Sequence, residues 1–390
     1  MAGHPFRGQV AVVGIGETPL YKRGTAPFAE RKLCLQAIVA AAEDAGVDPR
    51  DIDGFSSYGA DNNEGCRVNH GLGTRELRWS TLIWGGGGGG SAGAVAAAAS
   101  AIVAGQADLV AVYRASAESS SGRLLDAVSA GYFGLNYLPH GMESPANSLA
   151  LGANRLIEAD GVSPDAIRAF VQASYFHANN NPRAAGRNTQ LTDEMYENSR
   201  LIVEPFHLFD CSRENDGAAC ILLASAERAR DLTDKPAYLL GCAMGSGPNW
   251  GELDSAWEPL SSAGLKPVAK RMWEQAGYGL KDVDVSQIYT NMSAAGVAAM
   301  IDVGFCTAEN AAEVLTLENL TVPAGKYPIN TGGGDLAEGF VHGMGNTLEA
   351  VKQIRGDSPN QVKDAKLSLL TGGPMAELVS CALFGTEETL

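Results

Sequence analysis

Six consecutive glycines, Gly85 to Gly90, run into Ser91 and an alanine-rich stretch, SAGAVAAAASAIVAG. Glycines at the head of a helix let a ligand approach the backbone and present amide groups at the positive end of the dipole. That arrangement favours a thioester oxygen or an enolate beside Gly90 and Ser91. The run also satisfies the spacing of a dinucleotide fingerprint. A nicotinamide enzyme, however, needs an acidic residue ending the next strand to hold the ribose, and DLVAVYR ends in Arg114. Close helix packing is the remaining structural alternative. His342, in EGFVHG, is suited to proton transfer near neutral pH, or is simply a turn residue among glycines. His140 in LPHGME and Trp250 in GPNWGE are loop residues able to line an apolar acyl cleft. Asp216 is read as tying down a DGA turn between Cys211 and Cys220.

Those two cysteines and Cys34, Cys66, Cys242, Cys306 and Cys381 are odd in number and form no CxxC pair. Neither a disulfide framework nor a zinc site is expected. The formal charge of −16 repels nucleic acid and anionic membranes. An anionic ligand such as coenzyme A then needs a local basic patch, for which Arg183, Arg187, Lys266, Lys270 and Arg271 are the candidates. The start, MAGHPFRGQVAVVGIG, lacks a charged region followed by a sustained apolar one, and no apolar stretch reaches membrane-spanning length, so a cytoplasmic protein is expected.

These residues must be held by a scaffold, and 390 residues with 45% hydrophobic content suffice for one large duplicated fold. A strand from Val10 to Ile15, a helix from about Ala29 to Ala45 and a strand from Asp53 to Tyr58 open an α/β unit. The alanine-rich stretch has almost no polar face and predicts a helix enclosed on all sides. AGVDPRDIDGFSSY at Ala45 to Tyr58 reappears as AGYGLKDVDVSQIYTN at Ala276 to Asn291, and INTGGGDLAEGFVHGMGNTLEAVKQIRG again sets glycines, Gly333 among them, before a helix. Two halves are expected, residues 1–234 and 235–390, with residues 115–205 an excursion from the first half that covers the site. The two glycine-led helices should pack together in the middle.

The glycine-led buried helix, HANNNPRAAGR, FHLFDCSRENDGAACILLAS, QIYTNMS and PINTGGGDLAEGFVHGMGN together resemble the thiolase superfamily, in the branch around the sterol carrier protein x-type thiolases, over nearly the whole chain. The resemblance implies two βαβαβ-type halves in a layered αβαβα arrangement, with an inserted loop domain. It also implies that every catalytic residue of a working thiolase is replaced. The nucleophilic cysteine, which the helix dipole would activate, falls near Gly90 and Ser91, and the second cysteine near Leu370 or Thr371. The family's histidine aligns with Phe340, and its thioester-binding asparagine or histidine with Tyr289.

This pattern resembles the steroid side-chain aldolases, which cleave a β-hydroxyacyl-CoA by a retro-aldol reaction and work with a small OB-fold, zinc-ribbon partner. The resemblance implies that Tyr289 takes the β-hydroxyl proton as base or relay, and that the substrate is a bulky acyl-CoA thioester. No covalently bound cofactor and no metal are implied, and a homodimer is expected. A tyrosine with an ordinary pKa of about 10 is a poor base, so Tyr289 needs a lowered pKa or a concerted transfer. Phe340 departs from those aldolases, which tend to carry a tyrosine there. Gly90, Ser91, His140, Trp250, Gly333 and Phe340 are the expected substrate-binding residues, and the loss of a nucleophile at the helix head is read as freeing space for a large substrate. The alternatives are a non-catalytic acyl-CoA or lipid-binding subunit and a thiolase-like acyltransferase.

Overall fold

The computed structural model describes residue 4 and residues 6–59, 61–85, 87–117, 137–248 and 262–390. The first strand, β1 (Val10–Glu17), sends Val10 and Val12 into one apolar cluster and Ala11 and Val13 into another, the period of two that a strand buried on both faces must show. A short β2 (Tyr21–Lys22) follows. Then α1 (Glu30–Asp44) turns Leu33, Cys34, Ala37, Ile38 and Ala41 inward at helical spacing and lies on the outer face of β1.

Along the rest of the first half come β3 (Gly54–Tyr58), β4 (Trp79–Ile83), α2 (Gly90–Val103) and β5 (Leu109–Ser116). Next are α3 (Pro145–Glu158), α4 (Pro164–Ala178), a hairpin of β6 (Leu201–Val203) and β7 (Phe206–His207), and β8 (Asn215–Ser225). The second half contains β9 (Ala237–Gly245), α5 (Lys266–Ala276), β10 (Val285–Ile288), α6 (Ser293–Val303), α7 (Met344–Arg355), β11 (Leu367–Gly372) and β12 (Val379–Gly385).

Among the described residues a mixed ten-stranded sheet runs β10-β11-β12-β9-β1-β8-β5-β3-β4, with β2 on β8. Its halves join edge to edge where Ala11 and Val12 of β1 pair antiparallel with Tyr238 and Ala237 of β9. Outward from that junction, β1, β8, β5 and β3 occupy the places that β9, β12, β11 and β10 occupy on the other side. The two similar segments fall at matching points: each follows the outer helix, makes one short helical turn (Pro49–Asp51 or Leu280–Asp282) and enters a strand, β3 or β10.

The central helix α2 touches β3, β4 and β5 of one half and β9, β11 and β12 of the other, and α7 lies against it. With α1 outside the first half and α5 outside the second, the order of layers is helix, sheet, paired helices, sheet, helix, a thiolase-like α/β arrangement. Small residues make this possible. A side chain on Gly93 would meet the Met244 sulfur at 3.2 Å, and α2 contributes Ala92, Ala94, Val95, Ala98 and Ala99 to the inner core. The helix is not enclosed on all sides, because Ser100 and Val103 at its far end reach solvent. The expected DGA turn is also corrected: Asp216 lies within β8, and its carboxylate accepts the Ala26 amide at 2.9 Å, tying β8 to the loop after β2.

Candidate active site

The loops at the head of α2, after β10, before α7 and after β11 converge on a cavity of about 1200 Å³. Its floor is made by Gly87 and Gly88, Tyr289, Phe340 and His342. One wall comes from α3, which starts cleanly because Pro145 needs no amide partner at its first position and the Asn147 side-chain Oδ1 accepts the Ser144 amide at 3.0 Å. Ala146 and Leu149 of that helix, with Ile202 and Leu208, give the cavity apolar sides. The helix and the Ile202 side chain belong to the 115–205 segment.

Tyr289 directly follows β10. Its amide donates to the Thr371 carbonyl at 3.3 Å, continuing the parallel register of β10 on β11. The next residue, Thr290, donates its amide to the Asp335 carboxylate at 3.0 Å, so the backbone is held on both sides of the ring. The ring lies 6.2 Å from that of Phe340, centroid to centroid, and Phe340 lies 5.3 Å from His342. Among the described residues no hydrogen bond is made by the Tyr289 hydroxyl. Burial, with the Asp335 carboxylate nearby, pushes its pKa well above the ordinary value. The lowered pKa that a phenolate base requires is therefore not met. The burial of Tyr289 favours the neutral phenol.

His342 is anchored by its backbone, whose carbonyl accepts from the Tyr58 hydroxyl at 2.9 Å, and holds a positive φ of 54°. Nδ1 faces the Arg114 guanidinium at 3.2 Å from Nη2 and 3.4 Å from Nε. Burial and, secondarily, the arginine charge push the imidazole down to about 3, so it is neutral at physiological pH. The expected exchange of a proton near neutrality gives way to a ring that is neutral in that range. Asp335, fully enclosed and accepting from Thr290 and Asn346, moves the opposite way: burial pushes it up to about 7.

Gly90 and Ser91, expected at the site, lie behind it. A Cβ at Gly90 would meet that of Tyr58 at 2.5 Å, and Ser91 is fully buried with its hydroxyl unpartnered and packed toward Gly372. Nor is space freed at the helix head. A side chain at Gly89 would strike the Leu378 carbonyl, and one at Gly88 would strike the Tyr289 ring. Gly333 caps the short helix Gly334–Ala337 at φ 108°, against Ala178 and away from the cavity. His140 is exposed on a short turn and does not line the cavity, and Trp250 lies outside the described residues. Tyr289, His342 and Phe340 are thus the expected residues that the fold brings together.

Among the described residues the basic ones lining the cavity are Lys22, Arg23, Arg200 and Arg213, none of them anticipated. Arg183 is instead tied to Glu338 at 2.8 Å and Glu17 at 3.3 Å, and Arg187, Lys266, Lys270 and Arg271 do not line the cavity. Cys211 lines it, but its thiol donates to the His207 carbonyl at 3.5 Å and burial pushes its pKa up to about 12, so no thiolate is present. Cys381, opposite Thr371 in the β11–β12 register, is buried with its thiol raised likewise. Arg114 was the most legible of the missed residues, since a cation ending an apolar strand needs a buried partner.

Residues 249–384 match the family model of the thiolase C-terminal domain-like proteins. The chain is 35% identical to the 17-hydroxy-3-oxo-4-pregnene-20-carboxyl-CoA lyase of Mycobacterium tuberculosis, over 94% of this chain and 96% of that one. It is 34% identical to the steroid side-chain-cleaving aldolase of Thermomonospora curvata, over 94% and 95% respectively. The solved Ltp2-ChsH2(DUF35) aldolase superimposes with a TM-score of 0.91 at 32% identity, covering 99% of this chain and all of that one. With no cysteine at the helix head and a tyrosine on the cavity floor, this chain belongs to the thiolase superfamily, in the sterol carrier protein x-type branch that holds the steroid side-chain-cleaving aldolases, and is an aldolase-type lyase.

Proposed function

We propose that the protein cleaves the Cα–Cβ bond of a β-hydroxyacyl-CoA whose β-carbon is a member of a bulky ring system of the steroid class. The observation that carries this reading is that Tyr289, Phe340 and His342 together line a large, mostly apolar cavity, where burial favours the uncharged phenol and imidazole. The ring system fits the sides made by Ala146, Leu149, Ile202 and Leu208, and the coenzyme A phosphates meet Lys22, Arg200 and Arg213 at the rim.

In the cleavage, the β-hydroxyl gives its proton to the Tyr289 oxygen while the phenol gives its own proton to the α-carbon. The β-oxygen electrons close a carbonyl, the Cα–Cβ pair moves to the α-carbon, and the thioester enolate so formed is quenched by the phenol proton. Tyr289 ends unchanged, and the products are a ring ketone and a short acyl-CoA. As a relay it needs no stable phenolate, which its raised pKa forbids. One residue also serves both proton steps, so Phe340 need not be an acid. The developing enolate oxygen is held by the ring N–H of His342, beside Gly87 and Gly88 on the cavity lining.

The reading includes a small OB-fold, zinc-ribbon partner, supported by the two-component aldolase that this chain resembles over its full length. It includes a homodimer, which would cover the edge strand β4. It also includes a cytoplasmic setting, which seven free thiols fit. A steroid β-hydroxyacyl-CoA incubated with the chain, with and without such a partner, should yield a short acyl-CoA and a ring ketone. Tight binding of the thioester without products in either mixture would replace this reading with that of a binding subunit.

A further inference from the structure

We propose that Arg114, braced by Asp61, is a positioning residue that locks His342 as the tautomer protonated on Nε2 and aims that N–H at the cavity beside Gly87. The inference rests on the reading above for the oxygen that the N–H meets.

The lock follows from donor and acceptor inventory. A guanidinium has five N–H donors and no acceptor, and it keeps its charge. Nη1 of Arg114 is taken by Asp61 at 3.2 Å and by the Ala115 carbonyl at 3.1 Å, which leaves Nε and Nη2 directed at Nδ1 of His342. Nδ1 can meet two donors only with its lone pair, so in the neutral ring the proton is on Nε2. That nitrogen faces Gly87, where an added Cβ would come within 3.0 Å of it.

The brace is itself built in. Asp61 and Arg114 have side chains 0% and 5% exposed, and Asp61 further accepts from the Ser57 hydroxyl and from the amide and side chain of Asn63. A charge pair this buried is destabilising unless its hydrogen bonds are satisfied, and here His342 accepts from the two nitrogens that Asp61 and Ala115 leave. The backbone of His342 is pinned independently by Tyr58, so its ring has little freedom to turn.

The test is long-range proton–nitrogen NMR on the full-length chain labelled at histidine nitrogens, with His342→Gln to assign the signal. The expected result is an unprotonated Nδ1 and a protonated Nε2 from about pH 5.5 to about pH 8.5, through the range where a free imidazole titrates. Arg114→Lys, still a donor, should keep that pattern. Arg114→Met combined with Asp61→Asn removes both buried charges, so it tests the lock without stranding either. It should mix the tautomers and lower kcat about 100-fold with little change in KM, the loss expected for one oxyanion donor. A protonated Nδ1 in the parent protein, or an unchanged tautomer in the double variant, overturns the lock directly. Full activity in His342→Gln with the ring nitrogens as stated would instead overturn the catalytic reading beneath it.

Discussion

Tyr289 occupies the space that a side chain at position 88 would need: a Cβ on Gly88 would lie 2.1 Å from the tyrosine Cζ and 2.3 Å from its hydroxyl oxygen. Glycine at the head of α2 and tyrosine after β10 are therefore one feature contributed by the two halves of the chain. Gly88→Ala should push the ring aside, lowering turnover sharply and stability by about 1–3 kcal/mol, as overpacking does. Gly345→Ala is the control, since its nearest neighbour would be 3.6 Å away. Thermal unfolding and kcat for both variants check this, and a fully active Gly88→Ala protein would sink it.

Tyr289→Phe removes one oxygen and leaves the ring against Gly88. Removing a proton-transfer group typically costs about 10²- to 10⁴-fold, so kcat should fall by that much with an unchanged melting temperature. Single-turnover measurement distinguishes this from slowed product release, and retention of even half the rate would exclude the relay.

Two buried groups give the stability opposite pH dependences. Asp335 is raised from an ordinary value of 3.8 to about 7, so its uncharged form stabilises the fold below about pH 4 and that contribution is lost as pH rises to 7. His342 is lowered from 6.5 to about 3, so its contribution is present above 6.5 and is lost as pH falls toward 3. Urea midpoints across this range should show Asp335→Asn flattening the loss on the rising side and His342→Gln the loss on the falling side. Parallel curves for parent and variants would contradict both assignments.

Cys211 is the one thiol on the cavity wall, and it is held protonated. Alkylation of the native protein near neutral pH should label the exposed Cys66 first and Cys211 slowly, and Cys211→Ser should keep most of the activity. Mass spectrometry of enzyme quenched during turnover should show no acylated cysteine. An acyl group on Cys211 would restore an acyltransferase mechanism.

Lys22 and Arg200 are cavity-rim cations suited to coenzyme A phosphates. Lys22→Glu and Arg200→Glu should raise KM for the thioester roughly 10-fold each while leaving kcat nearly unchanged, the signature of lost uniform binding. Added salt should shrink the difference, because exposed charges are screened. Initial rates at low and high ionic strength make the comparison.

The sequence by itself determined what depends on neighbours in the chain. Strand and helix alternation follows from apolar periodicity, and an interior place for α2 follows from a run of alanines and glycines too small to hold backbones apart. The repeated order of Ala45 to Tyr58 and Ala276 to Asn291, and the want of a cysteine beside Gly90, were likewise legible without coordinates. What joins distant segments was not. Arg114 meets His342 across 228 residues of chain, and burial together with that contact lowers the pKa of a histidine read as a titrating group. The glycine run looked like vacated space until folding placed Tyr289 against Gly88. Which basic residues line the cavity was set by where β2 and the β6–β7 hairpin come to rest, not by local charge. A side chain's pKa and reach are set by the dielectric and partners around it, and only the packed fold supplies those.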